Sequence, residues 1–109
     1  MRVGLIQMTS SDDPSENLLT VSTMIKDAAA GGADFVLTPE VTNCLSASRR
    51  RQEEVLVAEA EDQTLAMLRG EAALRKVWLL IGSLALKADD DPRLLLQIFC
   101  NNMVGPTFF

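Results

Sequence analysis

The feature that most constrains this chain is an ordered trio within residues 2 to 38: an apolar run, an amphipathic stretch with its own start and stop signals, and a second apolar run. Val3-Gly4-Leu5-Ile6-Gln7-Met8 reads as a strand, ended by the polar residues Thr9 to Asp13. Asp13 precedes Pro14, a favoured first helical residue, and Glu16 stands three positions after Asp13, the pattern of a reciprocal capping box. Leu18, Val21, Ile25, Ala28 and Ala29 recur at helical spacing on one face, and Gly31-Gly32 supplies the stop. A second strand, Asp34 to Leu37, follows at once. Residues 2 to 38 therefore read as one βαβ unit with a parallel strand pair, which places the chain in the α/β class.

The second apolar run continues as Thr38-Pro39-Glu40-Val41-Thr42-Asn43. Pro39 has no N–H to give to a sheet ladder, so it ends the strand and leaves Glu40 at its carboxyl end. In open α/β sheets that edge gathers ligands and catalytic groups, a position that suits a general base. Taken alone, a strand-end glutamate is more often a loop or capping residue.

Beyond it, Thr42, Asn43 and Cys44 fall in a loop where the threonine and asparagine serve turn chemistry. A short polar helix is expected around Arg50 to Val57. Asp62 can cap a third helix, in which Leu65, Leu68, Ala72 and Leu74 to Val77 give an imperfect apolar face weakened by Gly70. A third strand is predicted over Val77 to Leu86, nearly continuous in apolar character, as when both faces of a sheet are covered. The composition changes after Arg93: Leu94 to Phe109 carries no charged side chain and holds three of the four phenylalanines. Such a segment is a sticky patch if exposed.

A chain of 109 residues has room for one small domain. The net charge of −5 argues against nucleic acid as a partner, and the one basic run, Arg49-Arg50-Arg51, leads straight into Glu53 and Glu54. With two cysteines far apart and no histidine, a zinc site has too few ligands. No stretch approaches the roughly 18 apolar residues of a membrane span, and the amino terminus lacks a signal-peptide pattern. A cytoplasmic location is expected. The turn after the first strand, Thr9 to Asp13, is acidic and free of glycine, which argues against a nucleotide-binding βαβ protein.

Val3 to Met8, Ala33 to Asn43 and Val77-Trp78-Leu79-Leu80-Ile81-Gly82-Ser83, in this order and spacing, resemble the amino-terminal part of the nitrilase or carbon–nitrogen hydrolase superfamily. The wording around Pro39-Glu40 is most similar to its nitrilase-like amidase branch. The resemblance implies an αββα sandwich, of which this chain is an incomplete, amino-terminal portion. It also implies hydrolysis of small amides or nitriles by a Glu-Lys-Cys triad without metal or organic cofactor, and it allows a homo-oligomer. Glu40 matches the triad's general base. The family's lysine and elbow cysteine have no counterpart context in these 109 residues. Lys26, Lys76, Lys87, Cys44 and Cys100 read as structural, and the substrate-binding residues stay unassigned. Residues 1–92 are thus expected to be the amino-terminal part of a hydrolase domain and 93–109 a divergent or frame-shifted tail, the whole inactive by itself. The alternative is a non-catalytic α/β module that binds a partner through the strand-end rim.

Overall fold

A computed structural model describes residues 1–88, together with the backbone of two later strands, 95–99 and 103–104. Strand β1 (Val3–Leu5), helix α1 (Pro14–Ala30) and strand β2 (Phe35–Leu37) form the expected βαβ unit, with Val3 opposite Phe35 and Leu5 opposite Leu37 in parallel register. Helix α2 (Arg49–Val55), a 3₁₀ turn (Glu59–Glu61) and helix α3 (Gln63–Arg75) lead into β3 (Trp78–Leu80), which pairs parallel with β2. Strand β4 (Ser83–Lys87) then pairs antiparallel with β5 (Leu95–Phe99), while β6 (Met103–Val104) returns antiparallel to β3. The main sheet has the order β1-β2-β3-β6, and β4-β5 is a separate two-stranded sheet.

The caps explain why the helices begin where they do. Asp13 accepts the backbone N–H of Ser15 at 3.0 Å and of Glu16 at 3.4 Å, so two orphan amides of α1 are satisfied. The reciprocal arm differs from expectation: the N–H of Asp13 is taken by Ser11 Oγ at 3.2 Å, a local side chain that reaches it in place of Glu16. Asp62 caps α3 by accepting the N–H of Leu65 at 2.7 Å. Lys76 ends that helix in the left-handed conformation, with φ of 56°.

The core lies between α1, α3 and one face of the sheet. Val21 and Ile25 of α1, Leu65, Leu68 and Ala72 of α3, Val36 and Leu79 of the sheet, and Leu84 and Leu86 of β4 are all buried in one cluster. Leu74, expected on the apolar face of α3, is 66% exposed instead, because the helix turns it away from the sheet.

Two further departures concern the third strand. The run Val77 to Leu86 is not one strand but two, β3 and β4, belonging to different sheets and separated by Ile81-Gly82. Continuous hydrophobicity cannot reveal such a break, because both halves are buried on the core side. Nor is β3 covered on both faces: Trp78 remains 50% exposed. The charge-free segment after Arg93 contributes β5 and β6, which its lack of periodicity did not announce; its other residues, Cys100 among them, lie outside the described residues.

Candidate active site

Glu40 sits where β2 ends, exposed to solvent on a turn between the half-buried Pro39 and Val41. Thr38, Thr42, Asn43 and Ser83 are buried around it. Burying that many polar groups is costly unless each is hydrogen-bonded, and here they bond to one another and to the backbone. Thr42 Oγ1 donates to the carbonyl of Pro39 at 2.5 Å. That uses its one proton, so Thr38 must be the donor in the 2.9 Å contact between Thr38 Oγ1 and Thr42 Oγ1. Thr38 Oγ1 in turn accepts the N–H of Gly82 at 3.3 Å. The two hydroxyls form a relay with one direction, tying both sides of Glu40 to the start of β4.

The break between β3 and β4 is what brings β4 against this turn. A Cβ at Gly82 would stand 2.5 Å from the carbonyl carbon and oxygen of Pro39 and 2.6 Å from the oxygen of Thr38. Only glycine allows the two backbones to meet so closely. Immediately afterwards Ser83 grips the turn twice: its Oγ accepts the N–H of Val41 at 2.8 Å and its carbonyl accepts the N–H of Thr42 at 3.0 Å. Asn43 then uses its amide as a stand-in for a strand neighbour, donating from Nδ2 to the carbonyl of Ala85 and accepting its N–H at Oδ1, both at 2.8 Å. Asn17 of α1 closes the far side, donating to the carbonyl of Asn43 at 2.8 Å and accepting the N–H of Ser11.

Val41 is held with φ of 44°. A β-branched residue in the left-handed region is an outlier that survives only where the surroundings over-determine it. The strain therefore lies directly beside the one carboxylate of the turn.

The other groups considered from the sequence are placed elsewhere. Cys44 is 3% exposed and its thiol lies 3.8 Å from the carbonyl of Asp12. Burial, and then the carboxylate of Asp12, push its pKa up against the opposing effect of Arg51, so it is a thiol at neutral pH and a poor nucleophile. Lys87 donates its ammonium to the carbonyl of Glu53 at 2.8 Å, at the end of α2. Lys76 is the cap of α3 and Lys26 is exposed on α1. Arg49 and Arg50 each pair with a glutamate four residues on, and Arg51 reaches Asp12 and Glu54. Among the described residues no cluster of three or more His, Cys, Asp or Glu side chains is arranged to hold a metal ion. No helix among them is long and apolar enough to cross a membrane.

Sequence reasoning singled out Glu40 as a candidate but not the contacts that fix its turn. The isolated Gly82 inside an apolar run was the available signal, since a glycine within a strand marks a bulge or a close backbone approach. Asn43 was legible as a turn residue, but nothing in the sequence near Ser83, Asn43 or Asn17 announces their distant partners.

The chain as a whole is matched by a family model. The model described as carbon–nitrogen hydrolase aligns with residues 2–105, and the chain belongs to that family. Among solved structures, Nit3 of Saccharomyces cerevisiae, a member of branch 10 of the nitrilase superfamily, has a TM-score of 0.75 at 19% identity, covering 95% of this chain and 39% of that one. The NitFhit protein of C. elegans has a TM-score of 0.72 at 20% identity, over 89% of this chain and 27% of that one. Both share the fold. An amidase from Nesterenkonia sp. is 31% identical with a TM-score of 0.64, over 78% of this chain and 32% of that one. Variants of that amidase with one glutamate replaced by glutamine or leucine carry acrylamide, or the acetamide moiety of fluoroacetamide, on the active-site cysteine. A search of curated proteins found no match. The chain spans between 27% and 39% of the length of these structures, and against them it is an incomplete α/β domain.

Proposed function

We propose that Glu40 is the general base of a carbon–nitrogen hydrolase acting on small amides or nitriles through a Glu-Lys-Cys triad, and that this chain alone turns over none of them. The observation that carries the reading is the Glu40 turn itself: an exposed carboxylate at a strand's carboxyl end, on a strained backbone fixed by buried hydrogen bonds. Preorganisation of that order is needed by a catalytic group and not by a solvated surface charge.

In the amide reaction Glu40 takes the proton of a cysteine thiol, and the thiolate attacks the amide carbon. A lysine stabilises the tetrahedral oxyanion. Collapse breaks the carbon–nitrogen bond, Glu40 returns the proton to the departing ammonia, and a thioester remains. Glu40 then draws a proton from water, whose oxygen attacks the thioester and releases the acid and the free thiol. Among the described residues Lys26, Lys76, Lys87 and Cys44 are each engaged or placed elsewhere, which supports the inactivity of the chain alone. The same reading takes residues 1–92 as the amino-terminal part of the hydrolase domain and 93–109 as a divergent or frame-shifted tail, supported by the loss of charge after Arg93. A reducing, cytoplasmic setting is supported by Cys44, which is free and buried.

Two assays test this. Ammonia release from acetamide and acrylamide by the purified chain should equal the background, and release that disappears in Glu40→Gln would overturn the inactivity. Residues 1–88 grafted in place of the matching segment of an intact family amidase should support hydrolysis, with Glu40→Gln lowering kcat by roughly 10²- to 10⁴-fold, the range of general-base catalysis. An active graft indifferent to Glu40→Gln would remove Glu40 as the base and return it to a binding role.

A further inference from the structure

We infer that Ser83 is the positioning residue for Glu40: its hydroxyl, by holding the N–H of Val41, locks the peptide that joins residues 40 and 41 and so fixes the direction in which the Glu40 side chain leaves the turn. This rests on the reading of Glu40 as the base, although the conformational part stands without it. An N–H and the carbonyl before it lie in one rigid plane, so a donor direction imposed at Val41 sets the ψ angle of Glu40. The bond is 2.8 Å long and Ser83 is fully buried, with no solvent to compete for its hydroxyl. The Ser83 carbonyl fixes the next N–H, that of Thr42, at 3.0 Å. Two successive amides are thus gripped by one residue, and the residue between the two locked planes is Val41, at φ of 44°. A valine left to itself would relax to negative φ and rotate the 40–41 peptide with it. Ser83 can act in this way only because Gly82 lets β4 start in contact with the Pro39 backbone.

The test uses the full 109-residue chain, labelled with ¹³C and ¹⁵N. The three-bond amide–Hα coupling and the Cα and Cβ shifts of Val41 report positive φ directly. Wild type and the hydroxyl-retaining Ser83→Thr should both show it. Ser83→Ala should lose it, and Val41→Asn added to Ser83→Ala should restore it, since asparagine tolerates the left-handed region without a clamp. Should Ser83→Ala lose its dispersed spectrum, recovery by Val41→Asn supports the inference. Persistence of positive φ at Val41 in Ser83→Ala overturns it, and so does a collapse that Val41→Asn fails to recover, because Ser83 would then serve the fold alone. In the amidase graft, Ser83→Ala should lower kcat at least tenfold with KM within about twofold, and Val41→Asn should recover part of the loss. Equal changes in kcat and KM would also overturn it. Failure of the Glu40→Gln test, by contrast, leaves the Val41 signature untouched, so the two readings fail separately.

Discussion

At the scale of single residues, Asp62 shows how one carboxyl can serve as a cap and be a burden at the same time. It accepts the N–H of Leu65, which favours its charged form, but burial raises its pKa above the ordinary carboxyl value and is the larger effect. A group that holds its proton more tightly in the folded state loses stability as pH rises, from the unfolded value of about 3.9 up through the raised folded value. Asp62→Asn keeps an acceptor for Leu65 and removes the charge. Its stability relative to wild type should therefore improve as pH rises from about 4 and level off once the wild-type carboxyl is ionised in both states. Urea midpoints at a series of pH values measure this, and a difference that does not change with pH would contradict it. Asp62→Ala lacks the acceptor and should cost about 0.5–2 kcal/mol. Gly82 is the sharper case. The atoms a Cβ would strike are backbone atoms of Thr38 and Pro39, which cannot yield without displacing the turn. Gly82→Ala should cost roughly 3 kcal/mol or more, at the upper end of overpacking effects, and a wild-type urea midpoint would refute the close approach.

At the scale of elements, α3 is interrupted by a glycine that no close contact requires. Its buried face is reduced to Thr64, Leu65, Leu68 and Ala72, and Gly70 lies mid-helix with nothing within 4 Å of where a Cβ would be. Gly70→Ala fills open space and restores helix propensity, so it should stabilise the chain by about 0.5–1 kcal/mol, read as a higher urea midpoint with an unchanged slope. A lower midpoint would mean that the glycine answers a packing need not visible in this arrangement. Helices were the legible elements for a physical reason: their caps and apolar spacing are local, so Asp13, Pro14, Asp62 and Gly31-Gly32 announce them within a few residues. The break between β3 and β4 was not legible, because it follows from the approach of Thr38-Pro39, more than forty residues earlier in the chain. The candidate site divides in the same way. Glu40 is marked locally by Pro39, whereas its hold on the fold runs through Ser83, Asn43 and Asn17, whose partners are distant in sequence.

At the scale of the molecule, the sheet has one dressed face and one bare one. Gly4, Val36 and Leu79 point to the side that α1 and α3 cover. Their neighbours point the other way and, because the strands are parallel and in register, they line up across the sheet: Val3, Phe35 and Trp78 in one row, Leu5, Leu37 and Leu80 in the next. Val3 and Trp78 are 50% exposed and Leu5 is 77% exposed, so two apolar rows meet water side by side. Contiguous apolar surface of this kind favours association, and β1 adds an edge whose outer side has no strand partner among the described residues. The 109-residue chain should therefore show a sedimentation mass that rises with concentration and should bind an apolar dye, and its single tryptophan, Trp78, should be open to a neutral quencher at low concentration and shielded at high. Leu5→Lys places a charge on the bare face at its β1 edge. Withholding one leucine from burial is worth roughly 1.5–3 kcal/mol, so the association constant should fall by about one to two orders of magnitude. The stability of the monomer should change by no more than about 0.5 kcal/mol, because Leu5 is already exposed there. A chain that stays monomeric at all concentrations, or a Leu5→Lys variant that associates as strongly as wild type, would show that something other than this face governs contact between copies.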